Sequence, residues 1–327
     1  MHGRSTARGQ LRGAGRMTLA ITQARLRAML PAISLVAVLI PILVMQPAVM
    51  SYFGSSLLLN LAVPIVLATL AQLAIITVND LDLSIGPFVS LVACIGATLL
   101  VKTPWLGALA LVGCVFTYAA VGALVELRQI PSIVVTLGLS FVWSGLAIVL
   151  LPSPGGTSPT WLGAAMNYQT PFIAAPIVWS VLIAIVGHLL LMRSSAGVRV
   201  RGAGGNPRAM RRFGWSLVRS KATLYSVAGV FGVLSGLSLL GLTTSADANL
   251  ALRYTLLSIA AVILGGGEFM GGRVSVIGAV LGAITLTLAA SFLAFLNISS
   301  DWQVGMQGAI LIVVLSLRVL LQRGERR

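Results

Sequence analysis

The sequence is poor in charged side chains, and especially in those that carry most enzymatic chemistry. Charged residues make up 9% of the 327 residues; seven are acidic and two are histidines. The two lysines, Lys102 and Lys221, do not follow the glycine-rich pattern that holds phosphates in P-loop proteins. His2 precedes the first apolar segment and His188 stands alone inside another, so neither metal site nor Ser-His-acid arrangement can be assembled. We therefore expect no catalytic site, metal or cofactor in this chain.

Cysteine is equally scarce, and no polar block is long enough to fold as a separate soluble domain. Cys94 and Cys114 both lie in apolar segments, where we expect them to pack as small hydrophobic side chains rather than form a disulfide. Apolar residues, in contrast, make up 57% of the chain, more than one soluble core can absorb. The composition predicts an all-α polytopic membrane protein.

Apolar windows of about 20 residues, the length that crosses a bilayer core, recur along the chain. We predict about ten membrane-spanning helices, of which the third and eighth are short: 28–47, 57–78, 85–101, 105–126, 131–151, 171–192, 222–242, 254–266, 274–296 and 303–321. With a cytoplasmic N-terminus, this topology leaves only Lys102 and Arg253 of the 22 basic residues on the outer side. The net charge of +15 is thus explained by membrane sidedness rather than by nucleic-acid binding, and both termini are predicted to be cytoplasmic.

These spans divide the chain into a basic tail at 1–27, one membrane domain at 28–321 and a short tail at 322–327. A signal peptide would also begin with a basic region, but no clear small-residue cleavage site follows, so we expect an uncleaved first span. The longest predicted outer loop, 152–170, is too small to be a receptor domain. The longest inner loop, 193–221, is strongly basic.

The first informative stretch joins the second and third spans. Four polar residues lie directly between the two apolar segments: Asn79, Asp80, Asp82 and Ser84. Because ionisable groups beside hydrocarbon are costly, two of only seven carboxylates at one junction indicate a functional site. The alternative is that Asp82 or Ser84 only caps a helix beginning near Ile85.

The second stretch lies in the long inner loop. Asn206 suits a helix N-cap, Pro207 the first helical position and Gly214 a helix end, so we predict a helix of about two turns. Met210 and Phe213 are expected on one face of it. Such a basic helix either docks a cytoplasmic partner or lies on anionic lipid.

The third stretch has five glycines in nine residues at 264–272, between two apolar runs. This composition permits a non-helical passage at membrane depth. Gly278 and Gly282 form a small-xxx-small pair that allows helices to pack closely. We expect short or broken helices near 80–90 and 264–278.

Together the three stretches resemble the membrane permeases of bacterial ATP-binding cassette (ABC) importers for ribose and related monosaccharides, in the family of branched-chain amino acid and sugar permeases. The first family pattern is matched at Asp82, Leu83, Ser84 and Gly86. The second is matched at Gly204, Gly205, Asn206, Pro207, Ala209 and Gly214. The third is matched at Gly265, Gly266, Gly271, Gly272, Arg273, Ser275 and Gly278. Asn79 and Asp80 replace the usual glycines of the first pattern, Glu268 replaces a serine and Val274 a glycine, so a different small polar solute is an alternative.

The resemblance implies an importer of the bacterial inner membrane. Two permease chains, identical or paralogous, would form the pathway, two copies of a cytoplasmic cassette ATPase would use the ATP, and a periplasmic binding protein would deliver the solute. The segment from Gly205 to Gly214 would couple to the ATPase, with its contacts at Pro207, Ala209, Met210 and Phe213. Asp82 and Ser84 would hold the second-to-third span junction in shape.

The residues that contact the solute are not identified by the sequence. Trp143 and Trp179 are candidates for stacking on a sugar, although membrane tryptophans usually anchor interfaces or fill packing. Two other functions remain open: an ion-driven secondary transporter using Asp80 and Asp82, or an ABC permease for branched-chain amino acids. A membrane scaffold without transport would explain neither the acidic junction nor the glycine-rich turn.

Overall fold

The structure, a computed structural model, describes residues 29–269 and 271–296 and five single positions between 302 and 312. In this part of the chain all regular elements are helical, and one antiparallel bridge pairs Gly155 with Ala246. The predicted all-α class is confirmed. Three predicted segments lie outside the described residues, wholly or apart from single positions: 1–27, 303–321 and 322–327.

The helices follow the apolar segments and are numbered in chain order. They are α1 (Met29–Met45), α2 (Tyr52–Leu58), α3 (Ala62–Ile76), α4 (Ile85–Ala97), α5 (Leu99–Lys102), α6 (Pro104–Arg128), α7 (Ser132–Leu150), α8 (Thr160–Met166), α9 (Ala175–His188), α10 (Ser195–Gly205), α11 (Pro207–Arg212), α12 (Leu217–Thr243), α13 (Tyr254–Leu264) and α14 (Val276–Phe295). A 3-10 turn occupies Pro47–Met50, and a π-helical turn, Leu189–Arg193, extends α9.

Six helical segments of the described chain are long and apolar enough to cross a membrane: α4 with α5, α6, α7, α9 with its π-helical turn, α12 and α14. The pair α2 and α3, bent by 43°, would make a seventh. The sequence predicted a continuous helix over 57–78, whereas α2 ends at Leu58 and α3 begins at Ala62. Pro64 explains the break, because its ring would clash with the carbonyl of Asn60 in a continuous helix. The helices α1 and α13 are apolar but shorter.

The bundle is organised around α3 and α4. All 15 residues of α3 and all 13 of α4 are buried, as expected for helices that are apolar on every side. The helices α12, α13, α14 and α9 pack around α3, while α6, α7 and α12 pack around α4. Outer residues of α6 and α7, such as Phe116 and Phe141, are exposed and apolar, which is typical of helices that face lipid.

Two non-helical segments enter the bundle, and they meet beside α4. Residues 77–84 join α3 to α4, and residues 244–253 join α12 to α13. The Thr255 hydroxyl accepts a hydrogen bond from the Gly86 N–H (3.0 Å), and the Ser90 hydroxyl accepts one from the Ala251 N–H (2.9 Å). Non-helical backbone is tolerated at membrane depth only where protein or a cavity surrounds it, and here side chains supply the missing partners.

Candidate functional site

Asn79 connects the three stretches that the sequence singled out. Its side-chain Nδ2 donates to the Gly204 carbonyl at 2.7 Å, and its Oδ1 accepts from the Gly271 N–H at 2.9 Å. These partners are 125 and 192 residues away in the sequence. Asn79 also has a positive φ of 63°, a left-handed conformation that asparagine tolerates better than most residues. One amide therefore joins the α3–α4 junction, the long inner loop and the glycine-rich turn.

The glycines beside Asn79 allow these backbones to touch. A Cβ atom on Gly204 would collide with the Thr77 carbonyl oxygen, and one on Gly272 would lie 2.6 Å from the Arg201 carbonyl oxygen. Gly272 also has a positive φ of 62°. Side chains at either position would separate α10 from the end of α3 or from the glycine-rich turn.

The glycine-rich turn is held in the same way against α14. A Cβ atom on Gly278 would collide with the Gly265 carbonyl oxygen, and one on Gly282 would collide with Ala261. The predicted small-xxx-small pair therefore forms the contact between α13 and α14. Ser275 caps α14 by accepting a hydrogen bond from the Gly278 N–H at 3.1 Å.

Four charged side chains form a chain of ion pairs next to Asn79. The Lys221 Nζ lies 2.9 Å from the Asp80 Oδ2 and 3.5 Å from the Glu126 Oε2. An Arg211 Nη2 lies 2.8 Å from the Glu126 Oε1. The side chains of Lys221, Asp80 and Glu126 are 16%, 9% and 11% exposed. Because a buried charge without a partner is costly, each of these charges is stabilised by its neighbours. The chain links α11, α6, α12 and the α3–α4 junction.

Asp82 is fully buried and makes a separate hydrogen-bonded cluster. Its Oδ1 accepts from the Ser84 N–H (2.7 Å) and the Ser84 hydroxyl (2.6 Å), and its Oδ2 accepts from the Tyr118 hydroxyl at 2.8 Å. The Gln72 amide, oriented to satisfy both groups, accepts from the Asp82 N–H (3.2 Å) and donates to its carbonyl (3.1 Å). Both the side chain and the backbone of Asp82 are therefore tied to neighbouring helices.

The alternative prediction was that Asp82 or Ser84 only caps the start of α4, and the structure shows a different arrangement. The Ser84 side chain makes no capping hydrogen bond to α4, and Asp82 bonds Ser84 itself. Two other N–H groups of the junction donate to hydroxyls of α7. Ser132 accepts from the Leu81 N–H (3.1 Å) and Thr136 accepts from the Leu83 N–H (3.1 Å).

These supporting residues were missed by sequence reasoning. The sequence gives no clue to the partners of these residues, which lie in largely apolar helices: Gln72, Tyr118, Ser132, Thr136 and Thr255. Their polarity at buried positions was the available signal, because a polar group at membrane depth needs a partner. The sequence could indicate that these side chains are paired, but not that they all serve one junction.

The short helix α11 has the predicted ends. Asn206 caps it by accepting from the Ala209 N–H at 3.0 Å, Pro207 is its first residue, and Gly214 follows its end with a φ of 76°. The expectation that Met210 and Phe213 share one face is wrong. Met210 packs inward over Gly202, whereas Phe213, which stands just beyond the last helical residue, is 78% exposed.

The other residues considered for chemistry lie in packed or apolar surroundings. Trp143 is 3% exposed, with its ring centroid 5.5 Å from that of Phe88 and 6.3 Å from that of Tyr118, so it fills packing. Cys94 and Cys114 are free and buried, as predicted. Among the described residues, no group of three or more His, Cys, Asp or Glu side chains is placed to hold a metal ion.

Comparison with known proteins identifies several relatives. Residues 54–315 match the family described as branched-chain amino acid transport system / permease component. The galactose/methyl galactoside import permease MglC of Haemophilus influenzae is 26% identical over 288 residues, 80% of this chain and 85% of the relative. The probable ABC transporter permease YphD of Escherichia coli is 30% identical over 278 residues, 81% of each chain. The ribose import permease RbsC of Bacillus subtilis is 29% identical over 202 residues, 60% of this chain and 62% of the relative. No solved structure matches.

Proposed function

Because the chain belongs to the family of permease components of branched-chain amino acid transport systems, we propose that it is the membrane subunit of an ABC importer for a monosaccharide. The relatives with a named solute include a galactose/methyl galactoside permease and a ribose permease, which favours a sugar over a branched-chain amino acid. As a permease component it is a transport subunit without catalysis of its own. ATP is used by a partner.

One observation carries this proposal: the exposed helix α11 is connected to the buried α3–α4 junction. Pro207 and Phe213 are exposed and can contact a partner. Arg211 is connected to the interior by its ion pair with Glu126, which also pairs with Lys221. Gly204, just before α11, is connected to the junction by its hydrogen bond with Asn79. A partner that moves α11 would therefore act on the end of α3 and on the non-helical segment before α4. We propose this as the route by which ATPase motion reaches the pathway.

The proposed orientation places Asn79 and α11 on the cytoplasmic side of the bacterial inner membrane. The basic segment 193–221 lies at this end of the bundle, while Lys102 lies at the other, in agreement with the positive-inside rule. We retain ten spans with both termini cytoplasmic, a basic tail at 1–27, a membrane domain at 28–321 and a tail at 322–327.

The proposed assembly contains two permease chains and two ATPase subunits, with a periplasmic protein that delivers the solute. The ATPase would contact α11 around Pro207, Ala209 and Phe213, with Met210 supporting the helix from below. The delivery protein would face the opposite end, where residues 152–160 pack against 243–247 through the Gly155–Ala246 bridge. Alternating access would follow from rocking of rigid helix groups about the pathway.

The test is co-purification of the tagged full-length chain with its cassette ATPase. Phe213→Asp should abolish recovery of the ATPase, because a charge in an apolar docking contact is costly to bury. The matched control is Phe172→Asp, which makes the same substitution at another exposed phenylalanine (91% exposed). Phe172 lies just before α9, at the opposite end of the bundle. Equal ATPase recovery with both variants would rule out docking at Phe213.

A further inference from the structure

A basic pocket next to α11 is not used by the proposed transport mechanism. It has a volume of about 570 Å³ and lies between the start of α10 and the start of α12. Its lining residues are Ala196, Arg199, Val200, Gly214, Trp215, Ser216, Arg219, Ser220 and Thr223. Two of these residues are cationic and none is acidic, so the pocket favours an anion.

The two arginines of this pocket have no carboxylate partner among the described residues. Asp80 and Glu126 are paired with Lys221 and Arg211. Arg199 instead has its guanidinium 4.9 Å from the centroid of the Trp215 ring. Stacking on an aromatic ring orients a guanidinium while leaving its N–H groups free, and their planar arrangement matches the oxygens of a phosphate.

The position of the pocket along α12 places it at the level of lipid headgroups. With 27 residues, α12 is about 40 Å long, about 10 Å more than the hydrocarbon core of a bilayer. Its first two turns, which carry Arg219 and Thr223, therefore reach beyond the hydrocarbon. Trp215 is 42% exposed there, and tryptophan is typical of membrane interfaces.

An exposed apolar stripe continues from the pocket along the same face of α12. Val230 and Leu234 are 47% and 46% exposed, and with Arg219 and Thr223 their spacing places all four side chains on one side of the helix. A cationic pocket at the headgroup level and an apolar stripe below it match the two parts of a phospholipid. An acidic segment of a cytoplasmic protein would fit the pocket but not the stripe.

We propose that this pocket binds the phosphodiester headgroup of an anionic phospholipid. Arg199 and Arg219 contact the phosphate oxygens, and an acyl chain lies along Val230 and Leu234. Basic pockets between helices on the cytoplasmic side of membrane proteins suit this class of ligand. The sequence suggested a lipid contact on α11 as an alternative to docking; this proposal places the lipid contact on α10 and α12 instead.

The experiment is native mass spectrometry of the full-length chain in detergent, with phosphatidylglycerol or phosphatidylcholine titrated in. Arg199→Gln with Arg219→Gln should weaken phosphatidylglycerol binding about thirtyfold, since direct contact of each arginine with the phosphate strengthens binding about fivefold. The control, Arg128→Gln with Arg212→Gln, removes the same charge at the same end of the bundle but outside the pocket, so it should stay within about twofold of the wild type. Binding is measured without sugar, ATP or ATPase, so its result does not depend on the transport proposal.

Equal weakening in both double variants, or in neither, would overturn the proposal, as would equal binding of phosphatidylcholine. If the first double variant does not fold, each single arginine variant should still weaken phosphatidylglycerol binding about fivefold. The competing outcome, checked in a separate titration with purified ATPase, is that the arginine variants bind phosphatidylglycerol like the wild type but lose ATPase binding. In that case the pocket is a protein contact and the lipid assignment is wrong.

Discussion

At the scale of single residues, Asn79 performs two tasks that few side chains combine. Its backbone is left-handed, and its amide both donates and accepts a long-range hydrogen bond. Glycine, which the family pattern usually has here, would allow the backbone conformation but neither hydrogen bond. Aspartate would accept but not donate. Asparagine at this position therefore adds a cross-connection that a glycine could not make.

We predict a ranked response to substitution of Asn79. Asn79→Gly should lose both hydrogen bonds, about 1–3 kcal/mol in total, but keep the backbone conformation. Asn79→Ala should lose about 1 kcal/mol more, because a Cβ atom disfavours positive φ. Thermal unfolding in detergent checks the order, and an alanine variant at least as stable as the glycine variant would contradict it.

Two substitutions of Asp82 can show whether its carboxylate has a structural role or binds an ion. In Asp82→Asn, the new amide can donate to Tyr118, Tyr118 can donate to the Ser84 hydroxyl (3.1 Å away), and Ser84 can still donate to the asparagine oxygen. We therefore expect Asp82→Asn to retain stability and solute uptake. Asp82→Leu, of similar size, leaves three buried donors without their acceptor and should cost about 3 kcal/mol or more.

The two variants are compared by thermal unfolding and by uptake in proteoliposomes. A folded Asp82→Asn protein without uptake would mean that the negative charge itself is required. That result would favour an ion-coupled carrier over the ABC importer.

At the scale of secondary-structure elements, the ends of α11 could be predicted and its orientation could not. Asn206, Pro207 and Gly214 determine where the helix starts and stops by local rules of capping and backbone conformation. Which side faces the protein depends on Gly202, which leaves room for Met210. That contact belongs to the packing of α10 against α11, which helical periodicity does not contain.

The same limit applies to the α3–α4 junction. The sequence showed that polar residues interrupt the apolar segments, and the structure has a non-helical passage at that place. The hydroxyls that satisfy it come from α7 and α13, about 50 to 170 positions away in the sequence. Single serines and threonines in apolar helices are too common to indicate such long-range partners.

The ion pairs between helices should differ strongly in how much they contribute to the stability of the fold. Lys221→Met leaves Asp80 and Glu126, each about 10% exposed, without their shared cation and should destabilise the protein by about 3 kcal/mol. Arg211→Met should cost less than about 1 kcal/mol, since the Arg211 side chain is 62% exposed. Thermal unfolding of the two variants measures the difference.

A second substitution provides the control for this prediction. Lys221→Met combined with Asp80→Asn removes the carboxylate that is left without a cation, since Glu126 keeps Arg211, and should recover part of the lost stability. Equal losses of stability in Lys221→Met and Arg211→Met would contradict the prediction that the buried ion pair contributes more than the exposed one.

At the scale of the whole molecule, composition and periodicity were sufficient for the helical class and for most span positions. Helices long and apolar enough to span a membrane appear close to six predicted positions, as α4 with α5, α6, α7, α9, α12 and α14. The arrangement of the helices was not predictable, because α3 and α4 differ from α6 and α7 in burial but not in apolar character. The meeting of three distant stretches at Asn79 likewise follows from tertiary packing alone.

We propose that cytoplasmic ATP hydrolysis, acting through α11, drives solute movement through this chain. The most direct test is uptake of labelled monosaccharides by proteoliposomes that contain the permease, its cassette ATPase and its binding protein. We predict that uptake requires ATP on the ATPase side, persists when proton and sodium gradients are collapsed, and falls at least about tenfold in Phe213→Asp but not in Phe172→Asp. Uptake that proceeds without the ATPase and follows an ion gradient would contradict the account.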